Sequence, residues 1–241
     1  MDNIVALLLD DSASMQANQY NTEKGVNRFI ELQKTREDDA VFYYATFGAE
    51  YTERVSFESI FKVEYINYAA HGWSTVLFDS VRKMMLTIKR KIKSLPEDER
   101  PRFVTAIIQT DGGDNASRGQ VETADSGIDA GTVTGVVTNP SARYNYTPQQ
   151  WKAMEDMRKK AIDEMHASMR DTDGIVWRFI FLGDLTDSPK EAHSSADTLG
   201  IPVDWQIFYD QNTTEDTFEK VAIAILEESV RPGQRKALLE V

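Results

Sequence analysis

The chain has 241 residues, of which 41% are hydrophobic and 27% are charged, a balance typical of a globular protein rather than a disordered one. Lys and Arg number 27 against 39 Asp and Glu, which gives a formal net charge of −12; a surface with this charge repels phosphate backbones and argues against nucleic acid as a partner. The absence of cysteine excludes disulfides, thiolate catalysis and cysteine-bound zinc.

The first predicted elements in chain order are a strand and a helix. Residues 4–9 (IVALLL) form an uninterrupted apolar run, which is typical of a buried strand. In the next pattern, residues 21–37, apolar side chains recur at helical spacing. Asn21 or Thr22 is the candidate N-cap of this helix because both side chains can accept a hydrogen bond from a free backbone N–H.

The remaining elements are apolar runs and helical patterns that alternate along the chain. They are, in order, strands at 40–47, 51–57 and 61–66, a helix at 77–95, strands at 102–110, 175–183 and 203–209, and a helix at 217–230. Strands that are apolar throughout are buried on both faces, and their alternation with helices favours a mostly parallel sheet. We therefore predict a doubly wound, three-layer α/β domain.

Two aspartates stand where such a fold places its ligands. In a doubly wound sheet the ligand crevice lies beyond the carboxyl ends of the strands. Asp10 directly follows the first strand, and Asp111 directly follows the strand at 102–110. If these two strands are neighbours, right-handed crossovers bring the two carboxylates side by side.

Residues 118–170 fit the alternation badly. The first part, residues 118–146, is rich in Gly, Ser, Thr and Asn and has no sustained period, which is an uncommon length for a loop within a compact domain. A helix capped by Thr147 is predicted to follow and to end near Arg170. No domain boundary or repeat is visible, so we predict one domain over 1–241 with an extended loop-helix segment. Both a role in specificity and a plain surface insertion remain open for this segment.

Oxygen-bearing side chains gather at three junctions of the predicted fold. They are Asp10, Ser12 and Ser14 after the first strand, Thr75 before the helix at 77–95, and Asp111 after the strand at 102–110. Mg²⁺ prefers six hard oxygen ligands and gives up its waters reluctantly. The pattern predicts a site in which the three hydroxyls bind Mg²⁺ directly and the two carboxylates complete the charge through water. With few direct carboxylates, the ion keeps a position for an acidic group of a partner.

These motifs and their order resemble the von Willebrand factor type A (vWA) domain. The motifs are D-x-S-x-S at 10–14, a Thr in the context G-x-S-T-x-L-x-D at 72–79, and T-D-G at 110–112. The resemblance covers most of the chain and implies the Rossmann-like vWA fold. It also implies a metal-ion-dependent adhesion site at Asp10, Ser12, Ser14, Thr75 and Asp111, with Mg²⁺ as the expected ion and Mn²⁺ or Ca²⁺ as alternatives.

The resemblance, which is to stand-alone bacterial and phage members, implies a metal-dependent protein–protein interaction module rather than an enzyme. Its expected partner is a protein that presents an acidic residue; an AAA+ ATPase, a phage or host protein and a second copy of this chain are candidates. The N-terminal sequence MDNIVALLLDD is acidic, and its apolar run is too short for a signal peptide or a membrane span. We therefore expect a cytoplasmic protein that does not bind membranes.

Two other interpretations compete with the metal site. Asp and Ser at a strand end often only cap helices or form turns, and Asp11 is interpreted as a solvated neighbour of the site. Alternatively, the chain is a haloacid dehalogenase-like metal-dependent phosphatase with Asp10 as its nucleophile. That chemistry requires a second Asp two residues after the nucleophile, where Ser12 stands. The binding module is therefore favoured.

Overall fold

The computed structural model contains a six-stranded sheet, four helices with described bounds, and further helical positions between 152 and 167. The described residues are 2–71, 74–114, 117, 174–186 and 189–230, with positions 152, 155–156, 159–160, 162–163 and 166–167. The strands are β1 (Asn3–Asp10), β2 (Ala40–Phe47), β3 (Tyr51–Ser59), β4 (Phe103–Thr110), β5 (Val176–Asp184) and β6 (Gln206–Tyr209). The helices are α1 (Gln19–Gln33), α2 (Leu77–Lys93), α3 (Pro189–Leu199) and α4 (Thr214–Val230).

The strand order is β3-β2-β1-β4-β5-β6. All neighbouring strands are parallel except β2 and β3, which are antiparallel. Strands β2 and β3 therefore lie on one side of β1, and strands β4, β5 and β6 lie on its other side, each in chain order. The strand order reverses between β1 and β4, which is the position where doubly wound sheets place their ligand crevice.

Strand β1 is the centre of the fold because it is buried along its whole length. Its side chains alternate between two hydrophobic cores, as the period of two along a strand requires. Ile4, Ala6 and Leu8 belong to the core that includes α2 and α3. The intervening side chains Val5, Leu7 and Leu9 belong to the core that includes α1 and α4. The predicted three-layer, doubly wound fold is confirmed.

Two predicted strands are wrong in whole or in part. Residues 61–66 are not a strand: a short 3-10 helix, Ile60–Lys62, is followed by backbone without regular structure. The strand predicted at 203–209 begins only at Gln206, after a 3-10 turn over Val203–Trp205. In the first case the alternation of apolar residues is real, but side chains of α1 rather than a neighbouring strand bind the backbone.

The predicted caps of the first helix are also wrong. A 3-10 turn (Ala13–Asn18) leads directly into α1, so this helix begins before Asn21. The Asn21 side chain instead donates to the backbone oxygen of Gln211 at 2.7 Å. Thr22 is fully buried and accepts a hydrogen bond from Gln109 of β4 at 3.4 Å. Both side chains therefore hold α1 against the rest of the domain.

Most of the segment 118–170 lies outside the described residues, so the extended loop and the single-domain organisation stay predictions. The described positions between 152 and 167 are helical. One of them, His166, has its Nε2 atom 3.1 Å from the backbone oxygen of Leu199. None of the helices in the described part of the chain is long and apolar enough to cross a membrane.

Candidate metal centre

Two loops bring four of the predicted site residues together at the carboxyl edge of the sheet. Asp10 is the last residue of β1, and Ser12 and Ser14 lie in the turn that follows it. Asp111 directly follows β4. Because β1 and β4 are parallel neighbours, their ends place both aspartates at the point where the strand order reverses.

Hydrogen bonds link the Ser12 and Ser14 hydroxyls to Asp111, and further hydrogen bonds hold Asp10 beside them. The Oγ atoms of Ser12 and Ser14 are 3.0 Å apart, and Ser14 Oγ donates to Asp111 Oδ1 at 3.0 Å. Asp10 Oδ1 accepts from the backbone N–H of Ser12 at 2.9 Å, and its Oδ2 accepts from Thr110 Oγ1 at 2.6 Å. Thr110 was missed as a functional residue, although it is the first residue of the T-D-G motif.

The site has a buried floor and an open mouth. Asp10 is fully buried and Asp111 is 3% exposed, whereas Ser14 is exposed to solvent. Burial and, after it, the charge of Asp111 raise the pKa of Asp10 to about 7. Two carboxylates in one poorly hydrated place repel each other, and a cation between them removes that penalty. The floor therefore has the charge that a divalent ion requires.

The chemistry of the donors also fits a hard ion. Carboxylate and hydroxyl oxygens are the ligands that Mg²⁺ and Ca²⁺ accept, whereas softer metals favour nitrogen and sulfur. Within the described ranges, no group of three or more His, Asp or Glu is arranged to hold a metal. A metal at this edge would therefore depend on the serine and threonine hydroxyls as well as on the two aspartates.

The capping interpretation explains only part of this arrangement. Ser12 occupies the N-cap position of the 3-10 turn, yet its side chain makes no capping hydrogen bond and lies beside the Ser14 hydroxyl instead. Asp10 does close a turn, because it accepts from the backbone N–H of Ser12. Turn formation thus accounts for one oxygen of Asp10 and does not explain why the Ser12 and Ser14 hydroxyls lie together beside Asp111.

Thr75 is buried at 4% exposure, immediately before α2. Its neighbour Val76 donates a backbone hydrogen bond to Gly48, between β2 and β3, at 3.0 Å. The backbone N–H of Asp79 donates to Ser117 Oγ at 3.1 Å, which ties the first turn of α2 to the loop that carries Asp111. These contacts of its neighbours hold the start of α2 beside the β2–β3 turn and beside Ser117, and the role of Thr75 as a ligand stays a prediction.

Residues 63–71, which we term the strap, include the last four residues of the wrongly predicted strand and lead from there to the metal edge. Asn27 of α1 holds the strap from both sides: its Oδ1 accepts from the backbone N–H of Ile66 at 2.8 Å and its Nδ2 donates to the Ile66 oxygen at 2.9 Å. One helical turn earlier, Glu23 Oε2 accepts from the backbone N–H of Tyr68 at 2.9 Å. Side chains of α1 thus take the place of a neighbouring strand.

The strap continues to the metal edge through three further contacts. Gln19 Oε1 accepts from the backbone N–H of Ala70 at 3.0 Å. The Tyr68 hydroxyl donates to the backbone oxygen of Asp10, and the backbone N–H of His71 donates to the oxygen of Asp11 at 2.8 Å. The side chains of α1 therefore position the segment that leads to Thr75.

Replacing Asn27 with Ala should loosen the strap without unfolding the domain. The change removes both hydrogen bonds to Ile66, so the amides of Ile66 and Tyr68 should exchange with solvent roughly tenfold faster. Hydrogen exchange followed by NMR measures this effect. Gln33→Ala is the matched control because it removes a hydrogen bond of 3.0 Å from α1 to Ala222, away from the strap. Equal strap exchange in both variants would contradict this role of Asn27.

The interpretation of Asp11 as a solvated neighbour is wrong. Asp11 is only 6% exposed, and burial raises the pKa of its carboxyl group. Gly48 lies against it so closely that a Cβ atom there would be 2.6 Å from Asp11 Oδ1. Arg54 forms a long ion pair with it, with Nη2 at 4.0 Å from Asp11 Oδ2. The turn between β2 and β3 covers this carboxylate, which the local sequence does not indicate.

Asp184 at the end of β5 is a further buried carboxylate, and the sequence did not single it out. It is 1% exposed and accepts hydrogen bonds from the Asn18 side chain and from the backbone N–H of Thr186 at 2.9 Å. Asn18 Oδ1 in turn accepts from Thr214 Oγ1 at 3.0 Å. These hydrogen bonds connect the end of the 3-10 turn that carries Ser14 to β5 and α4, and they therefore help to hold that turn in position.

The raised pKa of Asp10 makes the stability of the metal-free protein pH-dependent. The folded state keeps the Asp10 proton up to about pH 7, whereas the unfolded chain releases it near the ordinary value of 3.8. The folded state binds more protons between these values, so stability falls as pH rises through this window. The penalty is complete above pH 7 and is absent in an uncharged Asp10→Asn variant.

Denaturant unfolding in the presence of a chelator measures this penalty. Relative to wild type, Asp10→Asn should gain about 2–3 kcal/mol between about pH 5 and about pH 8, because one pKa unit corresponds to about 1.4 kcal/mol. If the difference in unfolding free energy between the two proteins did not change from about pH 5 to about pH 8, Asp10 would already be ionised in the folded state at pH 5, and its pKa would not be raised.

Comparison with known proteins places this fold among solved structures. No family model matches the sequence, and no curated protein is similar to it in sequence. The von Willebrand factor domain of the type V pili tip protein Mfa5 from Porphyromonas gingivalis is similar in structure, with a TM-score of 0.61, 13% identity and 98% of each chain covered.

Two further structures are similar over part of a longer chain. Proximal thread matrix protein 1 from the mussel byssus has a TM-score of 0.56 and 12% identity, and a von Willebrand factor type A protein from Catenulispora acidiphila has a TM-score of 0.51 and 14% identity. Each match covers 92% of this chain, but this chain spans only 47% and 42% of those proteins. At this level of identity the likeness concerns the fold: the chain has the fold of von Willebrand factor type A domains.

Proposed function

We propose that the chain is a metal-dependent protein–protein interaction module. Ser12, Ser14 and Thr75 would hold Mg²⁺ with their hydroxyls, while Asp10 and Asp111 balance its charge; Mn²⁺ and Ca²⁺ are alternatives. The observation that carries this proposal is the chain of oxygen atoms from Ser12 through Ser14 to Asp111 at the switch point of the sheet. The raised pKa of Asp10 supports it because the two carboxylates lie in an environment that favours a cation.

The protein side chains prepare the site for an acidic group. Neutral hydroxyls in direct contact with a dication transfer less charge to it than carboxylates would, so a bound ion would stay electrophilic and attract a carboxylate from a partner. Ser14 is exposed at the mouth, so a partner can approach from solvent there. Thr110 keeps one oxygen of Asp10 engaged, which restricts the orientation of that carboxylate.

The proposed partner is a protein with an accessible Asp or Glu. One structurally similar protein is a pilus tip protein, which supports a role in binding other proteins. An AAA+ ATPase, a phage or host protein and a second copy of this chain are candidates. The net charge of −12 disfavours nucleic acid, and we propose a cytoplasmic location without membrane binding.

Affinity capture tests the module directly. The wild-type chain should retain its partner in Mg²⁺ and release it when the metal is chelated, whereas Asp10→Ala should retain nothing in either condition. Glu31→Ala is a control that removes a carboxylate from the exposed face of α1. Partner capture that persists in chelator and in Asp10→Ala would exclude the metal from recognition.

The alternative is a metal-dependent phosphatase with Asp10 as nucleophile. Ser12 stands where that chemistry requires an acid, and both oxygens of Asp10 accept hydrogen bonds from groups of the chain itself. These contacts favour a fixed acceptor over a nucleophile. Phosphatase assays with generic aryl phosphates discriminate the two: turnover by the wild type that Asp10→Asn abolishes would support the enzyme.

A further inference from the structure

A solvent-open groove lies beside the metal edge, between β3 and the strap. Its cavity volume is about 360 Å³. The apolar floor consists of Tyr44, Val55, Val63 and Ile66, and the rim carries Arg54, Glu58, Lys62, Glu64 and Tyr65. This volume is near the lower end of ligand pockets, about 300–1,000 Å³, and suits one or two side chains rather than a large ligand.

The wall of the groove is held in place before anything binds. Asn27 fixes the backbone of Ile66 from both sides. The Tyr65 hydroxyl donates to Glu23 Oε1 at 2.9 Å, although its side chain is 62% exposed. A phenol ring that is anchored by its hydroxyl and still exposed loses little conformational entropy when a partner covers it.

Tyr65 on the rim has two further exposed aromatic side chains in its neighbourhood: Phe61, the sequence neighbour of the rim residue Lys62, and Tyr20, which interacts electrostatically with Tyr65. Tyr20 is 67% exposed and Phe61 is 49% exposed, and with Tyr65 they make up half of the large exposed hydrophobic side chains among the described residues. Lys24 lies over the Tyr20 ring, with Nζ at 4.7 Å from its centre. Exposed aromatic side chains are enriched at protein interfaces, so among the described residues this surface has a feature typical of an interface.

Arg54 and the strap link the groove to the edge of the sheet that carries Asp10. Arg54 on its rim lies 4.0 Å from Asp11, the residue after Asp10. The strap that forms its wall reaches Asp10 and Asp11 through Tyr68 and His71. An extended segment of a partner that lies across Arg54 would therefore approach the groove on one side and the metal edge on the other.

The charge of the rim indicates which ligand fits. Two cationic side chains, Arg54 and Lys62, face two anionic ones, Glu58 and Glu64, so the rim is close to neutral. A polyanion gains little from such a rim, whereas a peptide backbone with an apolar side chain matches the polar rim and the apolar floor. The chemistry of the groove thus favours a protein segment.

We propose that the groove takes an aromatic or large aliphatic side chain from the same partner segment that presents its carboxylate to the metal centre. This inference rests on the proposed function. Recognition then requires two features at a fixed spacing, an acid and an apolar anchor. The groove, not the metal centre, distinguishes one acidic partner from another.

Selection from a phage-displayed library of short peptides with one fixed Asp tests the proposal, with the 241-residue chain as target in Mg²⁺. Enriched peptides should carry an aromatic or large aliphatic residue at constant spacing from the Asp. Their affinity, measured by fluorescence anisotropy, should fall roughly tenfold for Tyr65→Ala and for Val55→Phe, which fills the floor. Val203→Ala is the control: Val203 is 73% exposed and lies outside the groove, so affinity should not change.

The outcomes separate the groove from the metal. If chelation abolishes peptide binding but neither Tyr65→Ala nor Val55→Phe weakens it, the role of the groove is contradicted and the proposed function stays intact. Binding that both variants weaken but that survives chelation would support the groove and contradict the metal-dependent function. A library without any binder, or one enriched only in charge patterns that lack an apolar residue, would overturn the docking proposal.

Discussion

Replacing Asp111 with Ala should reduce the affinity for Mg²⁺ by at least about 100-fold. Outer-sphere partners of a metal are commonly worth about 10–100-fold in affinity, and Asp111 also anchors the Ser14 hydroxyl through a hydrogen bond of 3.0 Å. Removing it therefore takes away one of two balancing charges and frees a proposed ligand. Titration calorimetry on wild type and variant measures the two dissociation constants.

Glu191→Gln is the matched control for this experiment. The Glu191 carboxylate lies at the same edge, with Oε2 accepting from the backbone N–H of Gly113 at 3.3 Å. The variant removes a negative charge close to Asp111 without touching the hydroxyls, so its affinity should change only a few-fold. If both variants lost affinity equally, general negative charge rather than a defined site would explain Mg²⁺ binding.

Replacing Phe218 with Ala should lower the free energy of unfolding by about 3–5 kcal/mol, the usual cost of removing a buried aromatic ring. Phe218 of α4 is fully buried. It packs on Gly25 of α1 so closely that a Cβ atom on Gly25 would lie 2.5 Å from its ring. The ring thus fills the contact between the two helices on one face of the sheet, and Ala leaves a cavity there.

Denaturant unfolding measures the loss, with Ile223→Ala as the control on the same helix. Ile223 is 42% exposed, and its truncation should cost no more than about 0.5 kcal/mol. Phe218→Ala should leave Mg²⁺ affinity unchanged in the fraction that remains folded, because Phe218 belongs to the core between the sheet, α1 and α4, whereas the proposed ligands lie at the carboxyl edge of the sheet. A cost below about 1 kcal/mol would mean that the two helices do not pack as the structure shows.

The sequence predicts the fold class because its strands carry a strong and simple signal. Residues 4–9 are apolar without interruption and form the interior of the fully buried strand β1. The order of strands is not visible in the same way. That β1 and β4 are neighbours follows from long-range packing, and only the ladder from Asn3↔Phe103 to Leu9↔Gln109 places Asp10 beside Thr110.

The errors at the site come from contacts that local patterns do not contain. Polar and apolar side chains alternate over residues 61–66 as they do in a strand. However, Asn27, which is distant in sequence, binds the backbone of Ile66 and holds it within the strap. Asp11 looks solvated from its neighbours, yet Gly48 and the turn around it cover the side chain. Motif spacing indicates which residues carry oxygen ligands, and tertiary structure decides which carboxylates lose their water.

The melting temperature of the metal-free wild-type chain across a series of Mg²⁺ concentrations tests the proposed metal centre most directly. An ion that binds only the folded state stabilises it by about 2.7 kcal/mol at 100 times the dissociation constant. We predict a melting temperature that rises steadily with Mg²⁺ into the millimolar range in wild type and stays constant in Asp111→Ala. A wild-type melting temperature that does not change, or that rises equally in the variant, would contradict a metal centre formed by these residues.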